Sequence, residues 1–239
     1  MNVLCIGNSF SVDATRYLHR IARSQGEKIT TVNLYIGGCD LETHYRMMLS
    51  KENGYRLYIN GEDSGFYVSM EEALFNRSWD VVTFQQASHR SFDFESYEPY
   101  LSKLAEYVRL CSPKAKFFFH QTWAYEDGSP RLFDIAGFEK SGDMFSAISK
   151  ASRSAAKAIG AELIPCGEVI NKLNALETAR LWRDGFHLSH GVGRYAAALT
   201  WYRVLTQKDV KDVSFSDFDD FVSSEDIKTV KSCVDSVNL

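Results

Sequence analysis

Two short segments near opposite ends of the chain carry the residue types of a catalytic triad. Residues 7–11 read Gly-Asn-Ser-Phe-Ser and follow a short apolar run, while residues 184–187 read Asp-Gly-Phe-His. A serine hydroxyl becomes a nucleophile when a base removes its proton, and that base needs a third group to orient it. These segments therefore predict Ser9 as the nucleophile, His187 as the general base and Asp184 as the group that orients His187.

Each half of this pattern also has a purely structural explanation. Ser9 or Ser11 can be the N-cap of a helix, with Asp13 as a competing cap. A surface aspartate beside a partly buried histidine is equally common. A phosphate-binding loop can use the same kind of turn, but the spacings G-x-x-x-x-G-K-S/T and G-x-G-x-x-G are absent. The two segments are independent of each other, and their joint occurrence favours catalysis.

Attack on an ester carbonyl places negative charge on its oxygen, which two or three hydrogen-bond donors must stabilise. The backbone N–H of Ser9, at the start of a helix, is the first candidate donor. Gly38 is the second, because a glycine lets the backbone approach a ligand closely. The third donor is expected in residues 85–89, where two glutamines, Ser88 and His89 compete.

The segment 123–138 contains two glycines and a proline and shows no regular pattern, which indicates a long functional loop. Trp123 and Tyr125, followed by Glu126 and Asp127, can form one wall of a binding pocket. The alternative for the two aromatic rings is that they anchor the loop by packing.

Apolar strands alternate with amphipathic helices along the chain, which predicts a parallel sheet covered on both faces. Strands are expected over 3–6, 29–36, 80–84, 116–119 and 162–165, and helices over 12–22, 41–49, 71–75, 97–110, 145–159, 169–176 and 192–205. Ligands bind at the carboxyl ends of such strands. The candidate segments follow the first three strands, so we expect them to meet at one edge of the sheet.

Two segments lie outside this alternation. In residues 54–68, two short strand patterns flank the turn segment 60–65, which predicts a β-hairpin inserted beside the main sheet. Residues 215–239 form an acidic tail that is expected to end in a helix. No repeat, low-complexity segment or linker divides the 239 residues, so they are expected to form one domain.

The composition argues against several classes of function. The net charge is −4 and no basic run stands out, so a nucleic-acid partner is not expected. No apolar run approaches the roughly 18 residues of a membrane span, and no signal peptide is visible, so we expect a cytoplasmic protein without a membrane partner. The five cysteines show no C-x-x-C spacing and the six histidines are scattered, which argues against a disulfide framework and a metal site.

These segments resemble the SGNH hydrolases, also called GDSL esterases and lipases. That family carries its nucleophile in a Gly-Asp-Ser block, a glycine in a second block, an asparagine in a third and Asp-x-x-His near the C-terminus. Ser9, Gly38, Asp184 and His187 fit the first, second and last blocks in that order, and the resemblance covers positions 3 to about 205. Family members whose first block reads Gly-Asn-Ser-Phe-Ser, with a later Thr-Trp-Ala as at 122–124, are especially similar.

The chain departs from the family pattern in two blocks. Asn8 replaces the aspartate of the first block, which is not the nucleophile. The Gly-x-Asn of the third block is missing, and counting from Asp80 places His89 where the asparagine would be. Carbohydrate esterases of the family that carry Gln-Gly-Glu-Ser at this place are similar to the chain here. Their glutamine corresponds to Gln86, so the resemblance implies Gln86 as the third donor.

The resemblance implies a flavodoxin-like three-layer α/β/α sandwich around a mostly parallel five-stranded sheet, and no cofactor. It implies a serine esterase that removes a short acyl group, such as acetyl, from a carbohydrate or a similar small molecule through an acyl-enzyme. Asn8, His89 and Trp123 are then expected to contact this small-molecule or oligosaccharide ester. The alternatives are a degenerate domain that binds a sugar or acylated ligand, and a flavodoxin-like phosphate-binding module.

Overall fold

The computed structural model describes residues 1–176 and 180–238. Within these ranges one sheet of seven strands forms the centre of the molecule, in the order β4-β3-β2-β1-β5-β6-β7. The strands are β1 (Asn2–Gly7), β2 (Thr30–Tyr35), β3 (Tyr55–Ile59), β4 (Glu62–Val68), β5 (Val81–Phe84), β6 (Lys116–His120) and β7 (Glu162–Ile164). The central strand β1 pairs in parallel with both β2 and β5.

Helices follow most of the strands, as the alternating sequence pattern predicts. They are α1 (Ser9–Thr15), α2 (Leu18–Ser24), α3 (Leu41–Ser50), α4 (Met70–Asn76), α5 (Tyr100–Cys111), α6 (Ser141–Ile159), α7 (Cys166–Asn174), α8 (Val192–Thr206) and α9 (Ser224–Asp235). A 3₁₀ turn (Phe94–Tyr97) precedes α5, and a single π-helical turn (Arg131–Ile135) lies in the long loop before α6.

The two faces of the sheet pack into two separate apolar clusters. Side chains alternate along a strand, so Val3 and Cys5 of β1 join the cluster that contains α1, α2, α7, α8 and α9. Leu4 and Ile6 join the cluster that contains α3, α4 and α5. These four side chains of β1 are buried, which is why residues 3–6 form an uninterrupted apolar run. The α/β/α layering predicted from the sequence is therefore confirmed.

The strand count differs from the predicted five because the hairpin joins the main sheet. β3 pairs antiparallel with β2, and β4 pairs antiparallel with β3, which adds two strands at one edge. The turn between them is shorter than expected, since only Asn60 and Gly61 separate the strands, at φ 53° and 84°. Positive φ at both positions is typical of the two-residue turns that match the twist of a hairpin. Residues 62–65, expected in the turn, begin β4 instead.

The first helix also differs from its prediction. The helix expected over 12–22 is two helices, α1 and α2, with a break at Arg16 and Tyr17. The Tyr17 side chain is fully buried, and its hydroxyl donates to the carbonyl of His190 and accepts from the backbone N–H of Asp219. The break therefore places Tyr17 where its hydroxyl forms a hydrogen bond with Asp219 of the C-terminal tail.

The tail expected over 215–239 ends in α9, and its last residue lies outside the described residues. Among the described residues, no helix combines the length and the apolar character that crossing a membrane requires.

Candidate active site

The candidate residues meet at the carboxyl edge of the parallel strands. β1 ends at Gly7, β2 at Tyr35 and β5 at Phe84, and the loops that follow these strands lie side by side. This is the edge at which open α/β sheets bind their ligands. The Asp-x-x-His segment, which precedes α8, reaches the same edge from the other end of the chain.

Ser9 lies at the first position of α1, directly after the cap. The N-cap is Asn8, whose side chain accepts from the backbone N–H of Phe10 at 3.0 Å. The sequence left Ser9, Ser11 and Asp13 as possible caps, and the structure assigns this task to none of them. Ser9 is therefore free of a capping role, and its hydroxyl points to the catalytic histidine candidate.

Asn8 also holds the turn that carries Ser9 against two neighbouring loops. Its Nδ2 donates to the carbonyl of Cys39 at 2.9 Å, and its Oδ1 accepts from Nε2 of Gln85 at 2.8 Å. The side chain is buried at the wall of the cavity, where the sequence analysis expected a substrate contact. The side-chain oxygen of Asn8 and one of its amide hydrogens therefore form hydrogen bonds to other groups of the protein.

Gly7 is required at the end of β1 for steric reasons. A Cβ atom there would lie 2.5 Å from the Ser11 hydroxyl oxygen and 3.0 Å from the side chain of Gln85. Real Cβ atoms do not approach other atoms this closely, so a larger residue would push Gln85 away from Asn8. The Gly-Asn-Ser sequence therefore reflects packing of the turn as well as the chemistry of the serine.

The structure brings Ser9, His187 and Asp184 together in one line of hydrogen bonds. Nε2 of His187 lies 2.9 Å from Oγ of Ser9, and Nδ1 of His187 lies 2.8 Å from Oδ2 of Asp184. These distances are those of good hydrogen bonds. In this arrangement an imidazole can take the proton of a serine hydroxyl while the carboxylate holds the ring in the required tautomer.

Asp184 is fixed by the backbone of its own loop. Its Oδ1 accepts from the N–H of His187 at 2.8 Å and from the N–H of Phe186 at 3.3 Å. Burial by itself would raise the pKa of the Asp184 carboxyl, but the hydrogen bonds from the ring and backbone of His187 outweigh burial and hold that pKa below its usual value. The carboxylate therefore stays charged at neutral pH.

A cavity of about 610 Å³ opens beside Ser9 and His187. This volume is within the range of small-molecule binding sites. Polar side chains line part of its wall, namely those of Asn8, Ser9, Ser88, His89 and His187, and Gly38 lies beside them. Aromatic rings line another part, and they include Tyr35, Tyr125 and Phe186.

Two backbone N–H groups at this cavity are available to a ligand. Within the described residues, neither the N–H of Ser9 nor that of Gly38 donates to a protein acceptor. Gly38 adopts φ 64°, a left-handed conformation that residues with a Cβ adopt only with strain. A pair of unused N–H groups near a serine hydroxyl is the arrangement that stabilises an oxyanion.

Gln86, the expected third donor, does not line this cavity. The side chain is buried, and its Nε2 lies 3.1 Å from both the carbonyl and the hydroxyl of Ser96. Its Oε1 accepts from the backbone N–H groups of Leu41 and Ala87 at 3.0 and 2.9 Å. Gln86 therefore joins loops behind the site, and the oxyanion role assigned to it from the sequence is corrected. Ser88 and His89, its competitors in the same segment, both lie at the cavity wall.

Trp123 is fully buried and does not line the cavity either. Its ring stacks on Phe10 with centroids 4.3 Å apart, and its indole N–H donates to the carbonyl of Phe186 at 2.8 Å. The expected contact of Trp123 with the substrate is therefore corrected. Its ring packs against α1 and against the loop that carries His187, and so it supports these two segments. Tyr125 is the aromatic residue of this loop that reaches the cavity, where its hydroxyl lies 3.0 Å from Oγ of Ser88.

The two acidic residues after Tyr125 hold the loop rather than face the cavity. The N–H of Glu126 donates to the carbonyl of Gly185 at 2.8 Å, which joins the loop to the Asp-x-x-His segment. Asp127 accepts from the N–H of Ser141 at 2.7 Å at the start of α6.

Asp13 links several segments near the site, and this role was not predicted from the sequence. Its side chain is only 1% exposed and accepts from Nη1 of Arg183 at 2.9 Å and from Nε of Arg194 at 2.8 Å. It also accepts from the backbone N–H of Leu188, the residue after His187, at 3.2 Å. The signal in the sequence is a carboxylate one helical turn after Ser9, among residues that face the core.

The sequence profile of one family, described as Domain of unknown function (DUF4886), matches residues 2–235. The chain is also similar to a crystal structure of a DUF4886 family protein from Bacteroides uniformis ATCC 8492, with 30% sequence identity and a TM-score of 0.88. That alignment covers 98% of this chain and 93% of the other. No curated protein sequence matches the chain.

Two further solved structures are similar at lower identity. A candidate SGNH hydrolase from Slackia heliotrinireducens has 23% identity and a TM-score of 0.63, over 86% of this chain and 98% of the other. The acetyl xylan esterase AlAXEase has 16% identity and a TM-score of 0.58, over 86% of this chain and 100% of the other. These similarities concern the fold, and they confirm the SGNH hydrolase-like fold that the sequence motifs predict.

Proposed function

We propose that this chain, which belongs to the DUF4886 family, is a serine esterase that uses Ser9, His187 and Asp184 as its catalytic triad. The observation that carries the proposal is the continuous line of hydrogen bonds from Oγ of Ser9 through His187 to Asp184. The cavity beside Ser9 supplies room for a substrate. An N-capping serine with a distant surface histidine, the structural explanation of the same residues, would not produce this alignment.

In the proposed reaction, Oγ of Ser9 attacks the carbonyl carbon of the ester while its proton moves to Nε2 of His187. The imidazolium then gives this proton to the leaving alkoxide oxygen, so that the alcohol departs and the acyl group remains on Ser9. A water molecule next loses a proton to Nε2 and attacks the acyl carbon. The proton returns to Oγ as the carboxylic acid leaves, which restores the enzyme.

The backbone N–H groups of Ser9 and Gly38 are the proposed donors to the oxyanion, because both lie at the cavity and neither has an acceptor among the described residues. Ser88 is the side chain that supports this pair best. Its hydroxyl lies at the cavity wall and is held by the Tyr125 hydroxyl, so its orientation is fixed before the substrate arrives.

The substrate class proposed is a short acyl ester, such as an acetyl ester, on a carbohydrate or a similar small molecule. The aromatic rings of Tyr35, Tyr125 and Phe186 at the cavity wall support this proposal, since sugar rings pack against aromatic faces. The acetyl xylan esterase of the same fold makes acetylated sugars a reasonable first choice of substrate.

Hydrolysis of 4-nitrophenyl acetate and butyrate by the wild type and by Ser9→Ala tests the proposal. Because Ser9 and His187 act as one unit, we expect Ser9→Ala and His187→Ala each to lower kcat by about 10⁴-fold or more, and the double variant to lose little beyond either. Asp184→Asn is expected to lower kcat by about 10³- to 10⁴-fold, because an amide favours the wrong tautomer of His187.

Ser24→Ala is the matched control, since Ser24 is an exposed serine at the end of α2. It is expected to keep the wild-type rate. Equal rates in the wild type and Ser9→Ala, with both proteins folded by circular dichroism, would remove Ser9 as the nucleophile. The domain that binds an acylated sugar without turnover would then be the better explanation.

A further inference from the structure

We propose that the ester cleaved at this site carries an anionic group, a carboxylate in the first instance, and that Arg131 binds this group. The inference rests on the proposed esterase function and adds to it the charge of the substrate. It is carried by the position of Arg131 beside the catalytic residues, by the unused donors of its guanidinium group and by the charge of the cavity wall.

Arg131 lies at the start of the π-helical turn in the long loop, at the wall of the cavity that holds Ser9. Its guanidinium carbon lies 3.8 Å from the centre of the Phe186 ring. The Phe186 ring centre lies in turn 3.8 Å from that of the His187 imidazole. Arg131 and His187 therefore contact the same aromatic ring and line the same cavity as Ser9, which places Arg131 within reach of a substrate bound there.

The contact with Phe186 orients the guanidinium group without using its hydrogen-bond donors. A cation above an aromatic face is held by the ring quadrupole, and the planar N–H fork of arginine keeps its edges open for a bidentate acceptor. Within the described ranges, the guanidinium group of Arg131 has no ion pair and no hydrogen bond to a protein acceptor. By contrast, Arg90 pairs with Asp40 and Arg183 pairs with Asp13.

A second arginine gives the cavity wall the same sign of charge. Arg183 lies at the wall with 28% of its side chain exposed. Its Nη1 donates to Asp13 and to the carbonyl of Leu188, whereas Nε and Nη2 have no acceptor among the described residues. The wall also includes His89 but, in the part of the chain that the structure describes, no aspartate or glutamate.

The residues that line the cavity thus include two arginines and, in the described part of the chain, no acidic residue, whereas the net charge of the whole chain is −4. A positive cavity in a negative protein attracts anionic ligands and repels cationic ones, and the effect weakens as salt is added. A carboxylate fits the arginine fork through two parallel hydrogen bonds. Since the proposed function removes a short, uncharged acyl group such as acetyl, we place the carboxylate on the alcohol part of the ester, as in an acetylated sugar acid.

Two pairs of esters test which part of the substrate carries the charge. For the alcohol side, 4-acetoxybenzoate is compared with its neutral methyl ester, methyl 4-acetoxybenzoate. For the acyl side, mono-4-nitrophenyl adipate is compared with 4-nitrophenyl hexanoate, which has a six-carbon acyl chain without the carboxylate. The quantity measured is the ratio of kcat/KM for the anionic ester to kcat/KM for its neutral partner, in wild type, Arg131→Gln, Arg131→Lys and Arg23→Gln.

We expect Arg131→Gln to lower this ratio by about tenfold for 4-acetoxybenzoate, because a charge-assisted hydrogen-bond pair is lost. Arg131→Lys should recover part of the ratio, since it keeps the charge but not the fork. Arg23→Gln, which removes an exposed arginine of α2, should leave both the ratio and the rates at their wild-type values. Added sodium chloride should lower the wild-type ratio and leave that of Arg131→Gln nearly constant.

An equal ratio in wild type and Arg131→Gln for both pairs, with measurable hydrolysis of the neutral esters, would overturn this inference and leave the esterase proposal intact. If Arg131→Gln lowers the ratio of kcat/KM only for the adipate pair, the assignment of the carboxylate to the alcohol part is wrong. If the wild type hydrolyses none of these esters, the esterase proposal fails instead. Calorimetric binding of 4-acetoxybenzoate to Ser9→Ala, with and without Arg131→Gln, then decides the role of Arg131 without turnover.

Discussion

The amide side chain of Asn8 is required at both of its ends. Its Oδ1 accepts from Phe10 N–H and from Gln85, whereas its Nδ2 donates to the carbonyl of Cys39. An aspartate, as in the Gly-Asp-Ser block of the SGNH hydrolases that the chain resembles, would meet the same N–H groups but would face the Cys39 carbonyl with a second acceptor. The departure from the family block therefore follows from the backbone that surrounds position 8.

We expect Asn8→Asp to lower the free energy of unfolding by about 1–3 kcal/mol, because a buried carbonyl loses its donor and a carboxylate oxygen takes its place. Urea unfolding at pH 7 measures this loss. Asn76→Asp, at an exposed asparagine in α4, is the matched control and should stay within about 0.5 kcal/mol of the wild type. A change at position 8 no larger than at position 76 would contradict this account.

Between elements, Asp13 joins α1, which carries Ser9, to the segment that carries His187. It lies on α1 and accepts from Arg183, from Arg194 of α8 and from the backbone of Leu188. Arg183 completes the link, since its N–H donates to the carbonyl of His187 at 3.0 Å. We therefore expect the separation of Ser9 and His187 to depend on a buried carboxylate that is not itself part of the proposed triad.

Asp13→Asn keeps the shape of this side chain but removes the charge that two guanidinium groups share. We expect it to lower the free energy of unfolding by about 3 kcal/mol, since one partner of a buried ion pair is lost. We also expect kcat to fall more than KM rises, because the alignment of Ser9 with His187 is disturbed while the cavity wall remains. Urea unfolding and steady-state kinetics with 4-nitrophenyl acetate measure the two effects.

Asp217→Asn is the matched control for this prediction. Asp217 also pairs with an arginine, Arg20, but 72% of its side chain is exposed. Surface ion pairs contribute at most about 1 kcal/mol, so the control should be nearly as stable and as active as the wild type. Equal effects at positions 13 and 217 would show that Asp13 is an ordinary ion pair without a positioning role.

At the scale of the whole molecule, two histidines are buried in the neutral form. His44 of α3 stacks on Tyr55, and His120 of β6 packs against Trp201. Burial lowers the pKa of His44 from 6.5 to about 4 and that of His120 from 6.5 to about 3. An unfolded chain therefore binds protons at these rings at a higher pH than the folded protein does.

This difference predicts a loss of stability on acidification. Since the unfolded state binds more protons between about pH 6.5 and pH 4, the free energy of unfolding should fall as the pH is lowered through that window. Each ring contributes a slope of up to about 1.4 kcal/mol per pH unit. Urea midpoints measured from pH 7.5 to pH 4 give the slope for the wild type, His44→Gln and His120→Gln.

Each substitution removes one titrating ring. Each should therefore make the free energy of unfolding depend less steeply on pH, whatever its effect on stability at pH 7.5. A slope in both variants as steep as in the wild type would show that other groups cause the acid sensitivity. Asp219, whose ion pair with Arg16 lowers its pKa to about 2, contributes only at still lower pH.

Short segments of the chain predict the candidate triad and the order of most elements without reference to the rest of the molecule. Ser9, Asp184 and His187 were identified by residue type and spacing, and the alternation of apolar strands with helices predicted the layered sheet, because both signals are local to short segments. The hairpin was predicted from a signal of the same kind, although its turn is two residues, Asn60 and Gly61, and not the expected segment 60–65.

Which polar side chains face the cavity depends on contacts between segments that are distant in the sequence. Gln86 turns to Ser96, Trp123 lies beneath Phe10, Asp13 joins two distant segments and Arg131 lies over Phe186. The direction of a side chain at the end of a strand or in a long loop depends on which segments pack against it. Those partners are far away in the chain, so neither residue type nor spacing in a single sequence records them.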